Sequence, residues 1–84
     1  MSAQEIVLTQ NPVQVSDGTK SIFIQEKSGF YTRFTSTTTA PTTNTPYCVI
    51  KSGSVSIDKG FPVWVWAREE SPSVVVVLTE EELV

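Results

Sequence analysis

The stretch that decides the fold runs from Gly60 to Leu78 and reads GFPVWVWAREESPSVVVVL. Its two apolar runs have the β-branched and aromatic content of strands, and a polar turn over residues 69–73 joins them. In the second run, residues 74–78, no residue is polar. A strand that is apolar on both faces needs cover on both faces. We therefore expect this strand to be central in a two-layer β fold, or to be covered on its second face by a partner subunit.

The first run separates small apolar side chains from large aromatic ones. Side chains alternate between the faces of a strand, so one face carries Val63, Val65 and Ala67 and the other carries Trp64 and Trp66. The small apolar face suits an intramolecular core. The aromatic face is typical of a core layer, of a subunit interface or of a platform that stacks on sugar rings. We expect a neighbouring subunit to cover it.

The rest of the chain consists of short extended runs separated by turn residues, without convincing helical periodicity. Strands are predicted over residues 5–9, 13–15, 20–27, 30–37, 47–51 and 54–58. The short link at Ser28 and Gly29 predicts a β-hairpin between the runs on either side of it. The expected fold is all-β: a compact antiparallel β-sandwich or small barrel of about seven short strands, in a single domain over residues 1–84.

Two segments of biased composition lie outside these strands. Residues 35–46 read TSTTTAPTTNTP, and we expect an exposed Thr/Pro-rich loop over residues 38–46. A loop of this length is either a connector or a contact element. Its contact candidates are Thr38, Thr39, Pro41, Thr43 and Asn44. Residues 79–84 are predicted to form an acidic C-terminal tail in solvent.

The composition limits the chemistry that this chain can perform. The sequence has no histidine and one cysteine, which excludes Ser-His-Asp and Cys-His catalytic arrangements and a structural zinc site. Cys48 lies in a β pattern and is expected to be a buried structural thiol. The carboxylate pair Glu69 and Glu70 lies in a turn, where a raised pKa is not expected. We therefore predict no catalytic residue, no metal, no cofactor and no enzymatic activity.

Charge and hydropathy limit the partners. The net charge is −3 and the pI about 4.7, and the basic residues are scattered along the sequence, so nucleic acid is not an expected partner. No apolar run approaches the roughly 20 residues of a membrane span, so no membrane partner is expected. No basic segment followed by an apolar core begins the chain, as a secretory signal would, and the single cysteine suits a reducing cytosol.

The small size of the domain favours self-association. A domain this short buries only roughly 60% of its unfolded surface, and small domains usually add disulfides, a metal or oligomerisation. Because the composition excludes the first two, we expect a homo-oligomer, either a trimer or a dimer. The interface candidates are Trp64, Trp66, Val74, Val76 and Leu78.

Four stretches carry a resemblance to a known class of protein: NPVQVS from Asn11, TKSIFIQEKSGF from Thr19, KSGSVSI from Lys51, and PVWVWAREESPSVVVVL from Pro62. Together with the Thr/Pro loop, they resemble small β-structured virion proteins of tailed bacteriophages. The resemblance implies a non-enzymatic virion structural protein, a capsid decoration or head/tail accessory subunit, made in the host cytoplasm and assembled with itself and with other virion proteins. The alternative is a carbohydrate-binding or host-protein-binding module that uses Trp64 and Trp66.

Overall fold

The computed structural model describes residues 2–80 and shows an all-β fold of eight strands. In chain order these are β1 Ser2–Leu8, β2 Val13–Asp17, β3 Ile22–Glu26, β4 Thr32–Thr35, β5 Cys48–Ile50, β6 Ser54–Ile57, β7 Pro62–Ala67 and β8 Ser73–Thr79. Sheet A has the order β1-β8-β3-β6 and sheet B the order β2-β7-β4-β5. All neighbouring strands are antiparallel. The predicted all-β fold is confirmed, and of the two forms expected, sandwich or small barrel, it is the sandwich, with eight strands in place of about seven.

The two strands of the deciding stretch are both central. β7 lies between β2 and β4 in sheet B, and β8 lies between β1 and β3 in sheet A. The turn between them carries the chain from one layer to the other. Pro62 begins β7, at a strand end, where a residue without an N–H is tolerated. The expected central place of the valine-rich strand in a two-layer fold is confirmed.

The core lies between the sheets and is built from the inward positions of both. Val63, Val65 and Ala67 of β7 are buried there, opposite Val75 and Val77 of β8, so the predicted core face of β7 is confirmed. Each large apolar side chain that is buried contributes roughly 1.5–3 kcal/mol.

One buried polar contact also spans the core. The Thr32 hydroxyl donates to the Ser73 hydroxyl oxygen at 3.0 Å, joining β4 of sheet B to β8 of sheet A. The hydrogen bond gives each of these fully buried side chains a partner, which spares the fold the cost of an unpaired buried hydroxyl.

The chain changes sheet at almost every link, and this makes the predicted hairpin wrong. β3 belongs to sheet A and β4 to sheet B, so residues 27–31 cross between the layers. Both edges of β3 are already paired, one with β8 and the other with β6. Among the described residues, β4 and β5 are the one pair of consecutive strands that are also neighbours. A short link therefore marks a crossing in this fold.

Glu26 fixes two of these crossings. Its carboxylate accepts hydrogen bonds from Ser28 N at 2.7 Å, Ser28 Oγ at 2.6 Å and Gly29 N at 2.8 Å. It also accepts one from Ser52 N at 3.1 Å, in the link between β5 and β6. The side chain is only 3% exposed. Burial favours its neutral form, but these hydrogen bonds outweigh burial and lower its pKa.

Two predicted boundaries are also corrected. The strand predicted over 30–37 is limited to β4, because Phe30 lies in the crossing and is 40% exposed. Thr79, assigned to the acidic tail, is the last residue of β8 and pairs with Ser2 and Ile22. The tail residues 81–84 lie outside the described residues.

Candidate functional site

The outer face of sheet A is apolar along its central strand. β8 presents Val74, Val76 and Leu78 on this face, and the pairing of β8 with β1 and β3 places Val7 beside Val74 and Phe23 beside Leu78. We call these five residues the valine face. Val7 is 62% exposed and the other members are half-buried. Three of the predicted interface residues, Val74, Val76 and Leu78, are thus brought together.

Two charged residues border the valine face: Glu5, and Lys27, whose backbone N–H donates to the Val74 carbonyl at 2.8 Å. Val76 is flanked by Glu5 on β1 and Gln25 on β3, and Ser54 and Ser56 of β6 follow in the same rows. The one carboxylate in these rows stands on the edge strand. Monomeric proteins rarely expose a contiguous apolar patch of this kind without a use for it.

The outer face of sheet B differs, because the chain covers Trp66 there, while Val49 and Tyr47 stay exposed. Trp66 is only 6% exposed, and the Tyr47 ring meets it edge-on at 5.9 Å between centroids and 72° between planes. The Trp64 indole N–H donates to the Thr37 carbonyl at 3.1 Å. The expectation that a neighbouring subunit is needed to cover this face is therefore wrong for Trp66. The link between β4 and β5 folds back and covers it within one chain.

The Thr/Pro loop has internal order that its composition did not indicate. Thr45 N donates to the Thr42 carbonyl at 3.1 Å, and Thr42 N donates to the Thr45 hydroxyl at 2.9 Å. Asn44 N donates to the Thr42 hydroxyl at 3.3 Å. Of the contact candidates, Thr38, Thr39, Thr43 and Asn44 are exposed as predicted, whereas Pro41 is half-buried.

Cations and tyrosines also gather at sheet B. Arg33 lies 4.5 Å from the Tyr47 ring centroid, and Lys51 and Arg68 lie 4.9 Å and 4.1 Å from that of Tyr31. Three of the six basic residues therefore make cation–π contacts with two tyrosine rings. These residues are scattered along the sequence, but strand pairing brings them together. Arg33 occupies an outward position of β4, and Lys51 and Arg68 lie one residue beyond the ends of β5 and β7 with the same outward parity. This parity was the signal that could have placed them on one face.

A small pocket of about 270 Å³ lies between the loop and sheet B. Its lining includes Arg33, Tyr47 and Trp66 from the sheet side and Thr42 and Thr43 from the loop, and no lining residue is acidic. Arg33 Nε is buried without a hydrogen-bond partner among residues 2–80. We call this site the Arg33 pocket.

A larger apolar groove of about 500 Å³ lies where the edge strands β5 and β6 diverge. Phe34, Cys48, Ile57 and Phe61 contribute to its lining. Cys48 is exposed, so the prediction of a buried structural thiol is wrong. It pairs with the core-facing Phe34, but β5 is a three-residue strand at the edge of sheet B, and Cys48 lines the open groove.

Residues 2–80 hold no group of three or more His, Cys, Asp or Glu side chains arranged to bind a metal ion. The same residues include no helix long and apolar enough to cross a lipid bilayer. Comparisons with protein families, with curated proteins and with solved structures found no match for this chain.

Proposed function

We propose that this chain is a non-enzymatic structural protein of a phage virion, a capsid decoration or head/tail accessory subunit, that assembles with a second copy of itself through the valine face. The observation that carries the proposal is the apolar outer surface of the central strand β8. Val76 occupies the middle of that surface, with Val74 and Leu78 two residues away on either side. The resemblance to phage virion proteins supplies the biological setting.

The dimensions of sheet A indicate how strong this association is. Four strands about 4.8 Å apart, with about 3.4 Å per residue along the longest strand, give a face of roughly 20 by 20 Å. Two copies facing each other then cover an area at the low end of specific protein interfaces, below about 1,200 Å² in total. We expect an association that depends on protein concentration.

The symmetry of such a contact selects between the predicted oligomers. A surface that packs on an identical surface does so about a two-fold axis, which produces a dimer. A trimer would need the valine face to pack on a different part of the next copy. The valine face therefore favours the dimer as the basic unit.

The self-association is tested by measuring solution mass against concentration for the natural protein and for Val76→Lys. A lysine at this position lies between Glu5 and Gln25. The Glu5 carboxylate offers it an opposite charge within the monomer, whereas in a dimer the lysine would disrupt the apolar contact. The natural protein should form a dimer and the variant should remain monomeric. Gln14→Lys, on the exposed edge strand of sheet B, is the matched control and should dimerise normally.

If Val76→Lys does not fold, the double variant Val74→Thr and Val76→Thr keeps β-branched side chains and serves in its place. A natural protein that stays monomeric at high concentration contradicts the assembly proposal.

The virion assignment has a separate test. Mass spectrometry of purified particles from cells that carry the gene should detect this chain in a fixed ratio to the main capsid or tail protein. Its absence from particles would overturn the virion assignment, while leaving the dimer to be judged by solution mass.

In the alternative, a carbohydrate-binding or host-protein-binding module, the residues that first meet the ligand are not Trp64 and Trp66. Trp66 is covered, and the indole N–H of Trp64 is already bonded to Thr37. A ligand on sheet B would therefore meet Arg33 and Tyr47 before either tryptophan ring. Tyr47 is 44% exposed.

A further inference from the structure

Arg33 has hydrogen-bonding capacity that the chain leaves unused. Its Nε is buried without an acceptor among residues 2–80, and no ion pair joins it to a carboxylate within those residues. Buried polar groups in proteins are nearly always paired, so an unpaired one calls for an explanation such as an ordered water or a bound ligand. A ligand in the Arg33 pocket would meet the same guanidinium through its two Nη groups, which are not buried and make no hydrogen bond within residues 2–80.

The guanidinium lies over an aromatic ring. Its Cζ is 4.5 Å from the centroid of the Tyr47 ring, and Tyr47 in turn meets the buried Trp66 edge-on. The two Nη groups of a guanidinium match the two oxygens of a carboxylate and form paired, charge-assisted hydrogen bonds with them.

The remaining walls of the pocket are neutral and rich in hydrogen-bonding groups. Thr43 contributes an exposed hydroxyl, and Gln10 contributes an amide whose nitrogen donates to the Arg68 carbonyl, which leaves its oxygen available as an acceptor. Pro12 and Tyr47 supply apolar surface. Because no acidic residue lines the pocket, nothing in it repels an anion.

We propose that the Arg33 pocket binds a single acidic sugar. The sugar carboxylate pairs with Arg33, its hydroxyls bond to Gln10 and Thr43, and its ring lies against Tyr47 and Pro12. The volume of about 270 Å³ accommodates a ring with its substituents, which is more than a simple anion needs. This site lies on sheet B, on the opposite side of the sandwich from the valine face, and does not depend on the proposed assembly.

The test is a titration of the full chain with glucuronate and galacturonate, followed by amide chemical shifts. Glucose, galactose and acetate are the matched ligands, each lacking either the carboxylate or the ring. Either uronate should bind at least about tenfold more tightly than all of these, with shifts centred on Arg33, Thr43 and Tyr47. Acetate that binds as tightly as a uronate would indicate an adventitious ion only. A short acidic peptide that binds more tightly would assign the pocket to a protein ligand. Either result, or no binding by the uronates, overturns the proposal.

Variants locate the site. Arg33→Gln should weaken uronate binding at least about tenfold, and Thr43→Ala should weaken it by a smaller factor. Arg68→Gln removes a neighbouring cation outside the pocket and should leave binding unchanged. If Arg33→Gln does not fold, Arg33→Lys keeps the charge without the paired geometry and should still weaken binding. If Thr43→Ala and the folded Arg33 variants bind uronate as tightly as the natural protein, the ligand binds elsewhere and the proposal is contradicted.

Discussion

The two outer faces of the sandwich contrast in how their apolar surface is covered. Sheet B presents tryptophans on its central strand β7, and the link between β4 and β5 folds over them. Sheet A presents valines on its central strand β8, and no described link folds over them; they are half-buried, as Trp64 is. The difference follows from the connections. Residues 36–47 join neighbouring strands of sheet B and can return across it, whereas every described link that reaches sheet A is a crossing between the layers.

The chemistry of the side chains adds to this difference. A tryptophan has a polar edge, and Trp64 uses its indole N–H to hold the carbonyl of Thr37. A polar Thr/Pro-rich loop can therefore pack on an aromatic face and keep its own hydrogen bonds. A valine has no polar group to offer, so only another apolar surface covers it favourably. The chain itself covers Trp66 on the aromatic face, whereas the valine face is the surface that we propose binds a second copy.

The largest expected effect that separates the faces is that of Trp66→Ala. Because Trp66 is covered within one chain, its truncation should lower the free energy of unfolding of the monomer by about 3–5 kcal/mol. Val76→Ala, on the valine face, should cost about 1 kcal/mol when measured at concentrations where the protein is monomeric. Denaturant unfolding of both variants measures the contrast. Equal costs would show that the two faces do not differ in cover.

A smaller effect is expected at Glu26. Its carboxylate accepts hydrogen bonds from two links that cross between the sheets, β3–β4 and β5–β6. Its folded-state pKa lies below its ordinary value of 4.5, so the carboxylate stabilises the fold above that pH. The stabilisation is lost as the pH falls through the folded-state pKa. Glu26→Gln should lower the free energy of unfolding by about 2 kcal/mol at neutral pH and flatten its pH dependence below 4.5.

The matched control for Glu26 is Asp17→Asn. Asp17 also has a lowered pKa, through hydrogen bonds from the Thr19 hydroxyl and backbone N–H, but it is exposed. Its replacement should have a smaller effect than Glu26→Gln on thermal unfolding. If Glu26→Gln unfolds at the same temperature as the natural protein from pH 3 to 7, the buried carboxylate does not hold the crossings.

The smallest expected effect is that of deleting Thr42 to Asn44 from the loop. Loop-closure entropy changes by only about 0.6 kcal/mol per doubling of length, so the fold should persist. The deletion removes one wall of the Arg33 pocket and uncovers Trp66, so acrylamide should quench tryptophan fluorescence more strongly. Deleting Ser71, in the exposed turn before β8, is the control and should leave quenching unchanged. An unfolded loop variant would show that the loop contributes to the core of the fold.

Much of the architecture could be predicted because it depends on alternation within single strands. The inward set of β7 and the central place of β8 follow from side-chain period and from apolar content on both faces. The hairpin predicted at Ser28 and Gly29 failed because link length does not decide which sheet the next strand joins. That choice depends on which edges of β3 are taken and on the hydrogen bonds of Glu26, which are contacts between segments distant in sequence.

The candidate sites were predictable to different degrees. Val74, Val76 and Leu78 share a face within one strand, so their grouping could be predicted. The Arg33 pocket joins β4, β7, the Thr/Pro loop and the link between β1 and β2, and such a meeting depends on tertiary structure. Cys48 was misplaced because its β pattern indicates an inward face but not that β5 lies at the open margin of the sandwich.

The most direct test of the contrast between the faces is an isotope-filtered NOE experiment on an equal mixture of labelled and unlabelled chains. If the valine face binds a second copy, contacts between copies should connect the methyl groups of Val74, Val76 and Leu78, and none should involve the ring of Trp66. Contacts between copies that arise from Trp64 or Trp66, or a spectrum without any such contact at concentrations well above those of the mass measurements, would contradict this assignment.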